Sequence, residues 1–415
     1  MTPLGLSAML LTLSALFGVI NDRTLKLPTT IGVLAISLLA SLAMLAIDPL
    51  IPGTDLHALS RALLGTIDLP QTLMNGALSF LLFAGALQVD LRALLGRWKA
   101  VLALALAGTM LAVGLFGVGM WLLFPWVDRP VPLIWCLVLG AILAPTDPVS
   151  VVGMLRRIGL PAPLQAVFAG ESLFNDGVGV VAFGVTLGMA TGDGSMASGT
   201  GIVTSFLSEA VGGGLLGLAL GWTAMLVMGA TRDAHLELLI SLALATGTFS
   251  LANALHMSGP IAVVVAGLTM GVRRSRTAIT ERGHAELMSF WALVDEVLNA
   301  ILFLLIGFEV LAVAFRWSHA AAALAAVPLS IAVRGLSVFL TTLPLHLRRD
   351  HRDGTLALLT WGALRGGISV ALALSLPDTP LRPSLLAVCY GVVVFTIIVQ
   401  GLTIERVARH YHPAP

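Results

Sequence analysis

The chain has 415 residues, of which 57% are hydrophobic and only 11% charged, with a mean hydropathy of +0.97. A soluble domain carries about 25% charge, so these side chains cannot cover a water-exposed surface, and soluble enzymes, disordered chains and secreted modules are excluded. The net charge of +1 leaves no electrostatic footprint for nucleic acid, and Cys136 and Cys389, both in apolar stretches without CxxC spacing, suggest neither a disulfide framework nor a zinc site.

Thirteen apolar runs approach the roughly 20 residues needed to cross the hydrocarbon of a bilayer. They are 4–20, 29–47, 72–89, 100–124, 132–154, 163–190, 199–228, 235–253, 258–272, 291–315, 319–345, 354–376 and 384–403. The expectation is an all-α polytopic membrane protein of about 13 transmembrane helices. No basic residue precedes the first run and no small-residue cleavage site follows it, so it reads as a retained helix. The positive-inside rule tests the count. Loops after odd-numbered runs, with the C-terminal tail, hold 17 Lys and Arg residues, whereas loops after even-numbered runs hold 4. The expected placement is therefore in the plasma (inner) membrane, with the C-terminus cytoplasmic and the N-terminus outside.

Two basic residues are left over, Arg334 in run eleven and Arg365 in run twelve. At about 1.5 Å per residue both fall near the bilayer midplane. Asp147 in run five and Asp176 in run six reach a similar depth, with Glu171 about one and a half turns to the cytoplasmic side of Asp176. An intramembrane charge is expensive unless it is paired or faces a water-filled cavity, so a cluster at one depth points to a transport site.

Run five carries Ala144-Pro145-Thr146-Asp147-Pro148 at its centre. Two prolines three apart remove two backbone donors and clash with preceding carbonyls, so the helix should break there. A broken helix at membrane depth belongs where it lines a cavity and offers freed carbonyls to a charge. Run twelve has its own weak point, Arg365-Gly366-Gly367. The two runs are seven apart and pass through the membrane in opposite directions. Six helices, a linker helix and six more then form inverted six-helix repeats with two broken helices in matching positions.

Run six contains Gly170-Glu-Ser-Leu-Phe-Asn-Asp-Gly177. On a helix Glu171 and Asn175 share one face, and Ser172 and Asp176 the next. Ser172, Asp176 and the nearby Thr146 offer the oxygen ligands that small hard cations prefer. A single carboxylate holding either a proton or a cation suffices for exchange, because neither ion crosses without displacing the other. Glu171 is better placed as the partner of a buried arginine, since an unpaired charge at that depth is costly. Arg334 is the candidate.

These segments resemble the cation:proton antiporter-1 family of bacterial NhaP-type and animal sodium/proton exchangers. The resemblance runs over nearly the whole chain. It rests on Ala144-Pro-Thr-Asp-Pro-Val149, the Gly170–Gly177 segment, Phe290-Trp-Ala-Leu-Val-Asp-Glu-Val-Leu-Asn-Ala-Ile-Leu-Phe303, Val333-Arg-Gly-Leu-Ser-Val338 and Trp361-Gly-Ala-Leu-Arg-Gly-Gly-Ile-Ser369. It implies the NhaA/NhaP-like antiporter fold and a homodimer of thirteen-helix protomers with two crossed, partly unwound helices. Within a single transporter unit over 1–415, core helices would lie over 100–190 and 319–403, and dimerisation or scaffold helices over 4–89 and 199–315. It further implies that Asp176 is the exchanging carboxylate, with Ser172 and Thr146 as ligands of the sodium ion and Asn175 its structural neighbour. By the same resemblance Glu171 pairs with Arg334, and Asp147 and Arg365 sit at the unwound crossing. The Asn175-Asp176 pair, in place of two adjacent aspartates, implies electroneutral exchange of one sodium for one proton. Beyond the transported ions and the membrane lipid, no cofactor, nucleic acid or soluble partner is implied. Many relatives carry a glutamate in the third helix where this chain has Ala84, so an accessory ligand is missing and the choice among Na+, Li+ and K+ stays open.

Other patterns carry less. Gly212 to Gly217 fits GxGxxG, but no strand precedes it and it lies in an apolar run, so Gly213, Gly217 and Gly221 read as a close-packing helix face rather than a dinucleotide loop. Asp295, Glu296 and Asn299 fall in the first turns of run ten at the cytoplasmic side, where carboxylates suit a helix N-terminus and would draw cations inward. His284 is expected in a cytoplasmic loop, where a histidine would tune the response to pH, and His410 and His412 are expected to close a solvated tail. The expected function is Na+(Li+)/H+ antiport by alternating access. K+/H+ exchange, a multi-spanning membrane enzyme using Asp147 and Asp176, and a passive cation channel are its rivals.

Overall fold

The computed structural model describes residues 3–47, 76–147, 162–192, 199–231, 233–271, 281–309, 316–344 and 354–411. Among these residues all regular structure is helical. In chain order the helices are α1 (Pro3–Arg23), α2 (Thr29–Ile47), α3 (Leu78–Gln88), α4 (Trp98–Val127), α5 (Leu133–Leu143), α6 (Ala162–Thr191) and α7 (Gly199–Gly229). They continue with α8 (Ala234–Ala254), α9 (Gly259–Met270), α10 (Glu281–Glu309), α11 (Trp317–Thr342), α12 (Thr355–Trp361), α13 (Gly367–Leu374) and α14 (Arg382–Tyr411). A short helix, Leu91–Gly96, precedes α4 and is capped by Asp90, whose carboxylate accepts from the N–H groups of Arg92 and Ala93.

Each expected apolar run contains helix, but the count differs. Among the described residues nine helices are long and apolar enough to cross a membrane, and α3, α5 and α9 are shorter apolar helices. Length alone therefore identifies nine crossings among the described residues and does not confirm thirteen. Part of the difference is mechanical: α5 stops at Leu143, just before Pro145, and run twelve splits into α12 and α13. Pro148 and the far part of run five lie outside the described residues, as do Arg61, Arg156, Arg157, Arg232, Arg273, Arg274, Arg276, Arg348, Arg349 and Arg352.

Two large buried clusters hold the bundle. One joins α4, α5, α11, α13 and α14 through residues such as Phe116, Ile142, Val333, Leu372 and Val392. The other joins α3, α8, α9 and α10 around Trp291, whose ring centroid lies 4.7 Å from that of Phe83 and whose indole N–H donates to Ser241 Oγ at 3.0 Å. A buried indole needs such a partner for its one donor. Helix α7 lies flush on α9. A Cβ on Gly213 would stand 2.6 Å from the carbonyl of Ser258, one on Gly221 3.1 Å from the Cα of Ala266, and one on Gly217 would overlap the carbonyl of Ala262. The glycine series is thus a packing face.

Helix α10 corrects the placement of the acidic cluster. It begins at Glu281, ten residues before run ten, so Asp295, Glu296 and Asn299 sit in the middle of a 29-residue helix and not in its first turns. Hydropathy marks the edge of the hydrocarbon, whereas backbone hydrogen bonding carries a helix on into the polar layer.

Candidate functional site

Two unwound stretches meet inside the bundle. The chain leaves α5 at Leu143, and on the opposite side it leaves α12 at Trp361 and re-enters helix at Gly367. The backbone N–H of Asp147 donates to the carbonyl of Leu364 at 2.8 Å, tying one unwound stretch to the other. Gly366 allows this approach, since a Cβ there would stand 2.8 Å from the Cβ of Asp147.

Each break carries the charge that suits it. Arg365 Nη1 donates to the carbonyls of Ala144 and Pro145, at 2.7 and 3.1 Å, which are orphan acceptors at the C-terminal end of α5. A cation is favoured there by the helix dipole, and the Asp147 side chain stands beside Gly366 at the N-terminus of α13, where an anion is favoured. The Arg365 N–H is held by Thr396 Oγ1 at 3.2 Å. Thr396 opens a π-helical turn, Thr396–Gln400, inside α14. Sequence reasoning missed Thr396, because a single π turn in an apolar helix leaves no periodic signal.

Helix α6 brings the remaining groups to the break. A Cβ on Gly179 would meet the ring of Pro145 at 2.5 Å, so α6 lies flush against it. Asn175 Nδ2 donates to Thr146 Oγ1 at 2.7 Å, its Oδ1 accepts the Thr146 N–H at 3.3 Å, and the Oγ atoms of Thr146 and Ser172 are 3.0 Å apart. The same Asn175 amide reaches Glu171 Oε1 at 3.2 Å. Glu171 in turn receives both terminal nitrogens of Arg334, each at 2.7 Å, and Arg334 Nε donates to the carbonyl of Leu359 at 3.1 Å. All of these side chains are buried. Parallel N–H···O bonds between guanidinium and carboxylate are the strongest arrangement open to such a pair.

Asp176 stands apart from this network. It is buried yet makes no hydrogen bond among the described residues, and it lines a cavity of about 50 Å³ with Thr146, Asp147, Asn299, Gly366 and Gly367. That volume holds a small cation with a few waters. Asp176 carboxylate, Thr146 hydroxyl and Asn299 amide oxygens form a donor set of the hard type. Ser172 does not reach the wall of this cavity; it lies behind Thr146. Asn299, read from the sequence as part of a cytoplasmic funnel, is instead a wall residue, and its Nδ2 donates to Asp295 at 3.1 Å. Ala84 is buried in α3, and its neighbours Leu81, Leu82 and Gly85 face the cavity.

Comparison with known proteins identifies the family and the fold. The family described as "Sodium/hydrogen exchanger, transmembrane" matches residues 11–410. The chain is 40% identical over 414 residues to the Na(+)/H(+) antiporter NhaP of Pseudomonas aeruginosa, covering 99% of this chain and 97% of that protein. It is 32% identical over 395 residues to the Na(+)/H(+) antiporter NhaH of Halobacillus dabanensis, covering 93% of each. In fold it is similar to the sodium proton antiporter MjNhaP1 from Methanocaldococcus jannaschii, with a TM-score of 0.77 at 19% identity over 99% of this chain and 98% of that one. The chain is thus a multi-pass membrane transporter rather than an enzyme, and it belongs to the sodium/hydrogen exchanger family.

Proposed function

We propose that this protein exchanges sodium for protons through the single carboxylate of Asp176. The observation that carries the reading is the placement of Asp176: buried, without a hydrogen-bond partner among the described residues, and facing a small cavity at the crossing of two broken helices. A bare carboxylate in such a place is costly. It is relieved by a proton or by a cation, and the two relieve it in the same position. A unit that crosses only when relieved therefore carries one ion each way, and exchange follows from competition for one group.

Thr146 assists as a hydroxyl ligand in this reading, with the Ser172 hydroxyl backing it from 3.0 Å, Asn175 fixing Thr146 and the Glu171–Arg334 pair holding α6 to α11. Asp147 and Arg365 compensate the helix ends and are not themselves exchanged. Since one charge is shared, the exchange is one sodium for one proton and electroneutral. The named relatives are all sodium/proton antiporters, which supports sodium over potassium.

The helices of the cluster formed by α4, α5, α11, α13 and α14, together with α6 and α12, are read as a moving core, and α1, α2, α3 and α7 to α10 as a scaffold that pairs with a second copy. Motion of the core against the scaffold would expose Asp176 to each face in turn. The asymmetry of loop Lys and Arg supports a plasma (inner) membrane protein with its C-terminus in the cytoplasm. Proton flux in proteoliposomes on adding sodium, lithium or potassium, with the membrane potential clamped and then free, tests the reading. A sodium response independent of potential is expected. A response to potassium alone, or a current that tracks the potential, would overturn the ion or the stoichiometry.

A further inference from the structure

Helices α11, α12 and α14 enclose a groove of about 900 Å³ away from the ion site. Its walls are almost wholly apolar along Ala332, Leu336, Phe339 and Leu356, and Leu336 is 45% exposed, so the groove opens on the outer surface of the bundle. Charge is confined to one end. Arg406 and His410 line the groove one helical turn apart on the same face of α14, at the end where α11 finishes, α12 starts and α14 finishes. Among the described residues no acidic side chain lines it. Arg406 is exposed and forms no ion pair among the described residues, whereas Arg409, on another face, is occupied by Glu405 at 2.6 Å.

An apolar channel with an arginine and a histidine at its polar end has the layout of a lipid site. A basic pocket between transmembrane helices at the membrane surface holds the phosphate of an anionic head group, while the acyl chain replaces bulk lipid along the apolar wall. The eight residues of α11 from Ala332 to Phe339 give the wall a length of about 10 Å, so one chain leaves the phosphate region and runs toward mid-membrane. We propose that this groove binds an anionic glycerophospholipid of the surrounding leaflet, with Arg406 and His410 holding the phosphate and an acyl chain lying along Leu336 and Phe339.

The deep end of the groove touches the machinery. Gly335 and Thr360 line it, and their chain neighbours Arg334 and Leu359 share the 3.1 Å hydrogen bond that joins α11 to α12. An effect of the lipid on transport rests on the exchange reading above, whereas its binding does not.

The test is therefore read on binding. Full-length protein in a non-ionic detergent is titrated with phosphatidylglycerol or phosphatidylcholine of identical chains, while the melting temperature is followed and the retained lipid is counted by native mass spectrometry. The phosphatidylglycerol should be retained in preference by about tenfold or more, and the variant carrying Arg406→Gln with His410→Gln should lose that preference. Ala357→Trp, which fills the groove and keeps Arg406 and His410, should reduce retention of either lipid. Equal binding of the two lipids by the wild type, or a preference that survives the double variant, overturns the proposal. A preference lost only when Arg348, Arg349 and Arg352 are replaced by Gln assigns the phosphate to the α11–α12 connection and overturns it as well. Arg406 and His410 are both exposed, so the double variant folds even where the tryptophan variant fails.

Discussion

Asn175 grips Thr146 from two sides, donating to its hydroxyl at 2.7 Å and accepting its backbone N–H at 3.3 Å, while the same amide nitrogen reaches Glu171 at 3.2 Å. One side chain thus joins the break after α5 to the ion pair that anchors α6. Asn175→Ala removes three contacts and leaves the Thr146 N–H without its acceptor. Loss of about 1 to 3 kcal/mol of stability is expected for an orphaned buried polar group, together with a lower apparent affinity for sodium, because Thr146 is no longer fixed at the cavity wall. The melting temperature in detergent and the sodium dependence of proton flux check both parts.

The Glu171–Arg334 pair is predicted to be structural. Glu171→Ala leaves the Arg334 guanidinium buried with only the Leu359 carbonyl, and breaking one side of a buried pair costs about 3 to 5 kcal/mol. Replacing both residues together, Glu171→Met with Arg334→Met, should cost less than Glu171→Ala alone, since no charge is stranded. An unchanged melting temperature for the single variant, or a double variant worse than the single, would reject the pair as a stabilising unit.

Asp176→Asn keeps the volume of the side chain and removes the group that binds a proton. Because Asp176 makes no hydrogen bond among the described residues, the fold loses no partner. Sodium-dependent proton flux should vanish while the protein elutes and melts as the wild type does. Retained coupled flux would take the exchange away from this carboxylate.

How much of this was legible in the sequence differs from group to group, and for physical reasons. Asp147, Asp176, Arg334 and Arg365 stood out because a charge in an apolar run is expensive, so its presence alone carries information. Pro145 and Gly366-Gly367 marked the breaks through backbone chemistry that acts within a residue or two. The ion pair of Glu171 with Arg334 lies 163 positions apart in the chain and was reached only by asking which charge had no other partner. The groups that escaped are those whose role depends on which way a helix face turns. Asn299 looks the same in sequence whether it begins a helix or lines a cavity from its middle, and it was misplaced because the polar stretch from Glu281 was read as loop. Ser172 was assigned to the cation on residue type, and the fold sets its hydroxyl 3.0 Å from that of Thr146, a register that residue type alone does not give. Thr396 is one more polar residue in an apolar helix until the π turn aims its oxygen at Arg365.

Gly366 makes a sharper test of the crossing than either charge. Its backbone, at φ −113° and ψ −165°, is open to any L residue, so a substitution there reports on space and not on backbone strain. Gly366→Ala places a methyl 2.8 Å from the Cβ of Asp147, and overpacking of this kind costs about 1 to 3 kcal/mol. The two unwound stretches should be forced apart, weakening the hydrogen bond between Asp147 and Leu364. Slower exchange with little change in total helix content by circular dichroism is expected. Wild-type exchange rates would mean that the approach of the two breaks is not needed for transport.

A pH effect is expected at the other end of the bundle. Just beyond α4, Asp128 accepts a hydrogen bond from Ser384 at 2.7 Å and lies 3.9 Å from His319 Nε2, so it ties the starts of α11 and α14 to the end of α4. Burial pushes the Asp128 carboxyl up, but hydrogen bonds from Ser384 and Ser318 and the charges of His319 and Arg129 outweigh it and hold the group below its ordinary value. A carboxyl depressed in the folded state stabilises that state above the unfolded value of about 3.9. The stabilisation is lost as the pH falls through the lower, folded value. Ser384→Ala removes one of the groups that hold the value down, so the variant should melt below the wild type at neutral pH. The two melting curves should converge only once the pH has fallen below the depressed folded value, where the carboxyl is protonated in both states. A gap between them that stays constant from neutral to acid pH would mean that Ser384 acts by packing alone and not through the charge of Asp128.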